Sequence, residues 1–113
     1  MLTQVTRDQT LAQSLIDSGA ARGAVSGLHH ILVNSLGGKK SKVDPDVLHV
    51  ELASGDRVLV CSDGLSDMVS DDMIAKALSE NNLQTSCDVL IDLALEAGGK
   101  DNITVVIGEI NAI

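Results

Sequence analysis

Apolar and polar positions are most clearly patterned in the second half of the chain. Val47–Ala53 and Arg57–Ser62 flank Ser54-Gly55-Asp56, a short turn signal, and together predict an antiparallel hairpin. Val58 to Cys61 is an unbroken apolar run, which predicts a strand covered on both faces and central in its sheet. Ser70 followed by Asp71 and Asp72 predicts a helix start, because the hydroxyl caps a free amide and the carboxylates suit the positive end of the helix dipole. Met73, Ile74, Ala77 and Leu78 give that helix one apolar face, and it should run to about Ser79. A second helix is expected from near Ser86, burying Leu90, Ile91, Ala94 and Leu95 and stopping at Gly98-Gly99. Ile103–Ile110 is β-branched and predicts the last strand.

The first part of the chain is patterned less sharply. Residues 2–5 read as a short strand, after which Thr6 or Asp8 would cap a helix over about 9–18, with Leu11, Ser14, Leu15 and Asp17 marking its faces and Gly19 its end. Ala20 to Gly27 fits either a second short helix or a loop. His30–Leu36 reads as a strand closed by Gly37-Gly38, and Lys39–Lys42 as an exposed basic loop. A chain of 113 residues is expected to fold as one domain, 1–113.

Composition narrows the function. The chain has no Phe, Tyr or Trp and a net charge of −8. It therefore offers no aromatic platform for base stacking and would repel a phosphate backbone, so nucleic acid is not expected as a partner. Charge is uneven: residues 1–42 hold five Lys/Arg against two Asp/Glu, and residues 43–113 hold three against fourteen. The acidic part is either a solvated surface or, in some of its carboxylates, a cation site. Cys61 and Cys87 lack CxxC spacing and are expected to be buried reduced thiols, which suits a cytoplasmic protein. No apolar run approaches the ~20 residues of a membrane helix, and the N-terminus lacks a signal-peptide layout, so no membrane partner or processing is expected.

Two acidic residues fall at the ends of predicted strands: Asp63 follows Arg57–Ser62, and Asp101 precedes Ile103–Ile110. If the two strands are antiparallel neighbours, both carboxylates project from one sheet edge. Clustered oxygen donors there suit a hard cation such as Mg²⁺ or Mn²⁺. The plain alternative is that Asp63-Gly64 and Asp101-Asn102 are turn formers. Asp67 either faces the same site or helps start the next helix. Gly37-Gly-Lys-Lys-Ser41 departs from the Walker phosphate-loop pattern and reads as a solvated loop. His29 and His30 would face opposite sides of a strand and His49 is isolated, so none is expected to bind metal. Burial in an apolar strand should raise the Cys61 thiol pKa and make it a poor nucleophile.

Val58-Leu-Val-Cys-Ser-Asp-Gly-Leu-Ser-Asp67 and Gly98-Gly-Lys-Asp-Asn-Ile-Thr-Val-Val106 resemble, in order, the Ser/Cys-Asp-Gly-x-x-Asp and Gly-Gly-x-Asp-Asn-hydrophobic-Thr segments of type 2C metal-dependent serine/threonine protein phosphatases. Upstream, Val5-Thr-Arg-Asp-Gln-Thr10 resembles that family's Leu-Thr-x-Asp-His-Ser, and His30–Gly38 its strand before an acidic hairpin. The resemblance covers nearly the whole chain and is bacterial in style. It implies an α/β (α+β) sandwich, here partial: mainly antiparallel sheet with packed helices. It also implies that Asp63 and Asp101 are ligands of one divalent ion, Mg²⁺ or Mn²⁺, and that Asp67 belongs to a further, weaker metal site. Gly64 and Asn102 enter as neighbouring residues of the same motifs. The reaction implied is hydrolysis of phosphoserine or phosphothreonine by a metal-activated water, in one in-line displacement without a phosphoenzyme.

Other parts of the family pattern do not occur: an early Glu-Asp pair, an Asp-Gly-x-Gly-Gly-His segment and a phosphate-gripping arginine. Gln9 also stands where the family has His. The expectation is the C-terminal half of a phosphatase, binding metal weakly and turning over slowly or not at all on its own. Its partners would be a phosphoprotein substrate or kinase, a complementary N-terminal half, or a second copy through an exposed sheet face. The alternative is a catalytically degenerate phosphatase-like module that binds proteins in bacterial signalling.

Overall fold

Arg57–Cys61 (β1) does become a strand, and its ladder partner is Val105–Glu109 (β2). The computed structural model describes residues 2–21 and 44–111. Between the strands the chain forms Asp63–Ser66 (α2), Asp71–Glu80 (α3) and Leu83–Glu96 (α4); upstream lies Leu11–Asp17 (α1). The chain groups into two compact units, one of Met1–Thr3 with Glu51–Ile113 and the other of Gln4–Val50. His29, His30, the strand expected over 30–36 and the Gly37–Ser41 segment lie outside the described residues.

In the first unit β1 and β2 run antiparallel, with Arg57 opposite Glu109, Leu59 opposite Ile107 and Cys61 opposite Val105. Alternation then sorts the side chains by face. Leu59, Cys61, Val105 and Ile107 pack with the helices around a core of Leu65, Val69, Ile74, Ala77, Leu78, Leu90 and Ala94. Val58, Val60 and Val106 lie on the other face, with Val60 64% and Val106 60% exposed. This corrects the expectation of a central strand covered on both sides. Among the described residues the sheet has only these two strands, so an apolar run that reads as doubly buried has one face without a covering layer.

The expected hairpin is also corrected. Its turn forms: Gly55 takes φ 90°, and the Asp56 amide donates to the Ala53 carbonyl at 3.1 Å. Val47–Ala53 nevertheless is not a strand. The Asp56 carboxylate accepts the Ala53 amide at 2.9 Å, which removes the donor where a ladder would begin. The ladder toward β2 continues instead, from Gly55 N to Ile110 O at 2.7 Å and from Ile110 N to Asp56 O at 2.9 Å.

The helix signals are closer to the mark. Ser70 caps α3 by accepting the Met73 amide, with Asp71 and Asp72 in the first turn. Ile74, Ala77 and Leu78 are buried as expected, whereas Met73 is 47% exposed. Helix α4 starts a turn earlier than Ser86, because Asn82 caps it by accepting the Thr85 amide at 2.8 Å. Its end is a Schellman arrangement: Gly98 N donates to Leu95 O and Gly99 N to Ala94 O, with both glycines at positive φ. Leu95, expected in the core, is 57% exposed. In the second unit Thr10, not Thr6 or Asp8, caps α1 by accepting the Gln13 amide, and Gly19 follows its end at φ 106°. Residues 2–5 are not a strand.

Arg57 ties the strands to the helix pair. Its Nε donates to Glu109 Oε1 at 3.1 Å, and its Nη1 to the carbonyls of Leu78 at 2.5 Å and Asn81 at 2.6 Å. Those carbonyls lie where α3 ends and lack partners within the helix. The hydroxyl of fully buried Ser86 closes the same junction by donating to Ala77 O at 2.8 Å. Replacing Arg57 by Ala should lower the unfolding free energy by about 1–3 kcal/mol in urea titrations, because it strands buried acceptors. Arg57→Lys should lose less, since an ammonium keeps the charge without the fork.

Candidate metal centre

The register of β1 and β2 dictates which loops meet. Where β1 ends at Cys61, the chain turns through Ser62 into the single turn of α2, which Asp63 opens. An acidic residue is favoured there by the helix's free amides. The Asp67 amide donates to the Asp63 carbonyl at 2.9 Å, so Asp67 follows Asp63 by one helical turn, on the same side. On the other side, Gly98-Gly99 stops α4 and Lys100–Thr104 leads into β2.

The two loops are bonded to each other. Ser62 N donates to Thr104 O at 3.0 Å, and Thr104 N donates to Ser62 Oγ at 3.0 Å. Ser62 Oγ in turn donates to Asn102 O at 3.1 Å. Gly64 is buried against the same carbonyl: a Cβ built on it would sit 2.0 Å from Asn102 O. Asp63 thus lies between two residues that both touch Asn102, the neighbour of Asp101. Asp63 and Asp101 therefore share one end of the sheet. Both are exposed, as is Asp67, and Asp101 Oδ1 accepts the Asn102 amide at 2.7 Å.

A divalent cation fits this donor set in part. All three side chains offer carboxylate oxygens, the ligands Mg²⁺ and Mn²⁺ prefer, and Mg²⁺ is commonly held by one or two carboxylates with several waters. Among the described residues, however, no group of three or more His, Cys, Asp or Glu is gathered to hold an ion. Among the described residues the carboxylates form no closed cage. His49 is exposed and Cys61 is half-buried, with desolvation pushing its thiol pKa up as expected. Cys61 and Cys87 are both free. Among the described residues no helix is long and apolar enough to cross a membrane.

No family model matches the chain. It is 41% identical over 112 residues to the serine/threonine protein phosphatase PstP of Mycobacterium tuberculosis, covering 96% of this chain and 21% of PstP. With the serine/threonine phosphatase Stp of Listeria monocytogenes it is 35% identical, covering 96% of this chain and 44% of Stp. The chain thus spans about a fifth to under half the length of the curated relatives it matches. The crystal structure of M. tuberculosis PstP superposes with a TM-score of 0.88 at 39% identity, covering 99% of this chain and 48% of that one. A structure of the PstP catalytic domain in complex with two manganese ions aligns at a TM-score of 0.84 and 41% identity, over 99% of this chain and 46% of that one. In sequence and fold the chain matches part of the type 2C serine/threonine protein phosphatases, over 96% or more of its own length and less than half of theirs. Its helices and antiparallel strand pair are a portion of that α/β fold.

Of the two forms the sequence allows between Asp63 and Asp67, one helical turn or a tight loop, the structure has the helical turn; the clamp made by Ser62 was not anticipated. The signal for the clamp is faint: a serine before Asp-Gly reads as an ordinary helix cap, yet Ser62 makes no side-chain cap bond to α2. Gly64→Ala tests how closely the loops approach. The added methyl must displace the Asn102 backbone, so the substitution should cost about 1–3 kcal/mol or more, read as a lowered midpoint of chemical denaturation.

Proposed function

We propose that this chain contributes the metal-binding edge of a Mg²⁺- or Mn²⁺-dependent protein serine/threonine phosphatase, with Asp63 and Asp101 holding one ion and Asp67 serving a further, weaker position. One observation carries the reading: Ser62 and Gly64, which flank Asp63, both touch Asn102, which adjoins Asp101. Carboxylates repel one another unless a cation sits with them, and a shared ion would give these two acidic residues a reason to occupy one end of the sheet. The manganese in the structure of PstP, a relative aligned over 99% of this chain, supports the same reading. When bound, the ion would polarise a water into a nucleophile and neutralise phosphoryl oxygens. The chain's own residues would fix the ion at the sheet end and leave it open to a phosphoprotein side chain, because all three carboxylates are exposed.

Two or three carboxylates make a weak site, so the chain alone should bind Mn²⁺ or Mg²⁺ weakly and hydrolyse phosphoesters slowly or not at all. The open apolar face of Val58, Val60 and Val106 suits a covering layer, either a complementary phosphatase segment or a second copy. A cytoplasmic setting agrees with the free thiols. The second reading, a phosphatase-like module that binds a kinase or phosphoprotein without turnover, is favoured by that same face and by the want of a three-ligand cluster among the described residues.

Manganese titration followed by calorimetry and by paramagnetic NMR line broadening separates the two. The phosphatase reading expects broadening centred on Asp63 and Asp101. Asp63→Asn or Asp101→Asn should then weaken affinity by at least about tenfold, since disturbing a group that merely orients a ligand already costs about 10–100-fold. Silence at both positions favours the binding module. Robust Mn²⁺-dependent turnover of a phosphopeptide by the pure chain would overturn the expectation that it is weak alone.

A further inference from the structure

We infer that Ser62 is a positioning residue for the carboxylate pair: its hydroxyl clamps the Asp101–Asn102 loop against the start of α2 and so sets the spacing of Asp63 and Asp101. The inference rests on the proposed metal site.

A serine preceding a helix ordinarily spends its hydroxyl on an amide of the first turn, as Ser70 does for Met73 and Thr10 for Gln13. Ser62 occupies the equivalent position before α2 but makes no such bond. Its Oγ donates to Asn102 O at 3.1 Å and accepts from Thr104 N at 3.0 Å, bridging 40 and 42 positions of sequence. Using both functions of one hydroxyl across two loops, at the cost of a cap, is hard to explain by the stability of a four-residue helix. Asn102 O is also the atom that Gly64 approaches too closely for any side chain. One carbonyl, adjoining Asp101, is therefore held from both sides of Asp63, by a hydroxyl and by the lack of a Cβ. The donor supplies direction and the glycine supplies proximity. Loss of the hydroxyl frees Asn102 O and Thr104 N together and leaves the bond from Ser62 N to Thr104 O to tie the Asp101 loop to β1 at this point.

The test compares the unaltered chain with Ser62→Ala and Ser62→Thr, reading Mn²⁺ affinity by calorimetry at a temperature where all are folded by circular dichroism. Ser62→Ala should weaken Mn²⁺ binding by about 10-fold or more, as outer groups that orient ligands do. Ser62→Thr, which keeps the hydroxyl, should restore it. Arg57→Ala provides the contrast: it loosens the fold at the opposite end of β1 and should leave Mn²⁺ affinity unchanged. Equal affinity of Ser62→Ala and the parent overturns the positioning role while leaving the metal site intact. Failure of the parent to bind Mn²⁺ at Asp63 and Asp101 overturns the metal site and this inference with it. Should Ser62→Ala not fold, hydrogen exchange in the unaltered chain decides: a protected Thr104 amide upholds the clamp, and free exchange there overturns it.

Discussion

The antiparallel register of β1 against β2, with Cys61 facing Val105, is the constraint from which the other features follow. It brings the end of one strand beside the start of the other, although 44 positions separate those residues in sequence. In doing so it fixes which residues alternate toward the helices and which toward the open face. A slip of one position would send the inward residues of the slipped strand outward, Leu59 and Cys61 of β1 or Val105 and Ile107 of β2, and uncover part of the helix layer. Burial therefore enforces the register, and the register brings together the two loops that carry Asp63 and Asp101. Stability and site geometry rest on the same pairing.

Arg57 secures the other end of that pairing. The guanidinium is planar and forked, which lets one side chain bond Glu109 on the facing strand and the carbonyls at the end of α3. The helix pair is thereby held to the sheet by directional bonds as well as by the packing of Leu65, Leu90 and Ala94. Among the described residues Arg57 is a half-buried cation at one end of β1, and Asp63 and Asp101 are exposed at the other.

Much of this was legible in the residues. Ser70 with Asp71-Asp72 starts α3, Gly98-Gly99 ends α4 and the β-branched run 103–110 holds β2, because caps, positive-φ glycines and β-branching act over a few neighbouring positions. Asp63 and Asp101 were identifiable as candidates because acidic residues at strand ends stand out against apolar runs. The hairpin failed for an equally physical reason. Ser54-Gly55-Asp56 does form a turn, but the Asp56 carboxylate competes for the Ala53 amide, and β1 gains more by pairing with a distant β-branched strand whose inner face is buried.

The run Val58–Cys61 has the same composition whether one face or two are covered, since a side chain carries no record of the layer that will meet it. Local order along the chain specified the start of α3, the end of α4, the turn at Gly55 and the type of residue available to a cation. Which strand pairs with β1, which face stays open and that Ser62 grips Asn102 were settled by contacts between segments tens of residues apart. Those contacts depend on the balance of burial and hydrogen bonding over the whole assembled unit, a quantity that no short window of sequence contains.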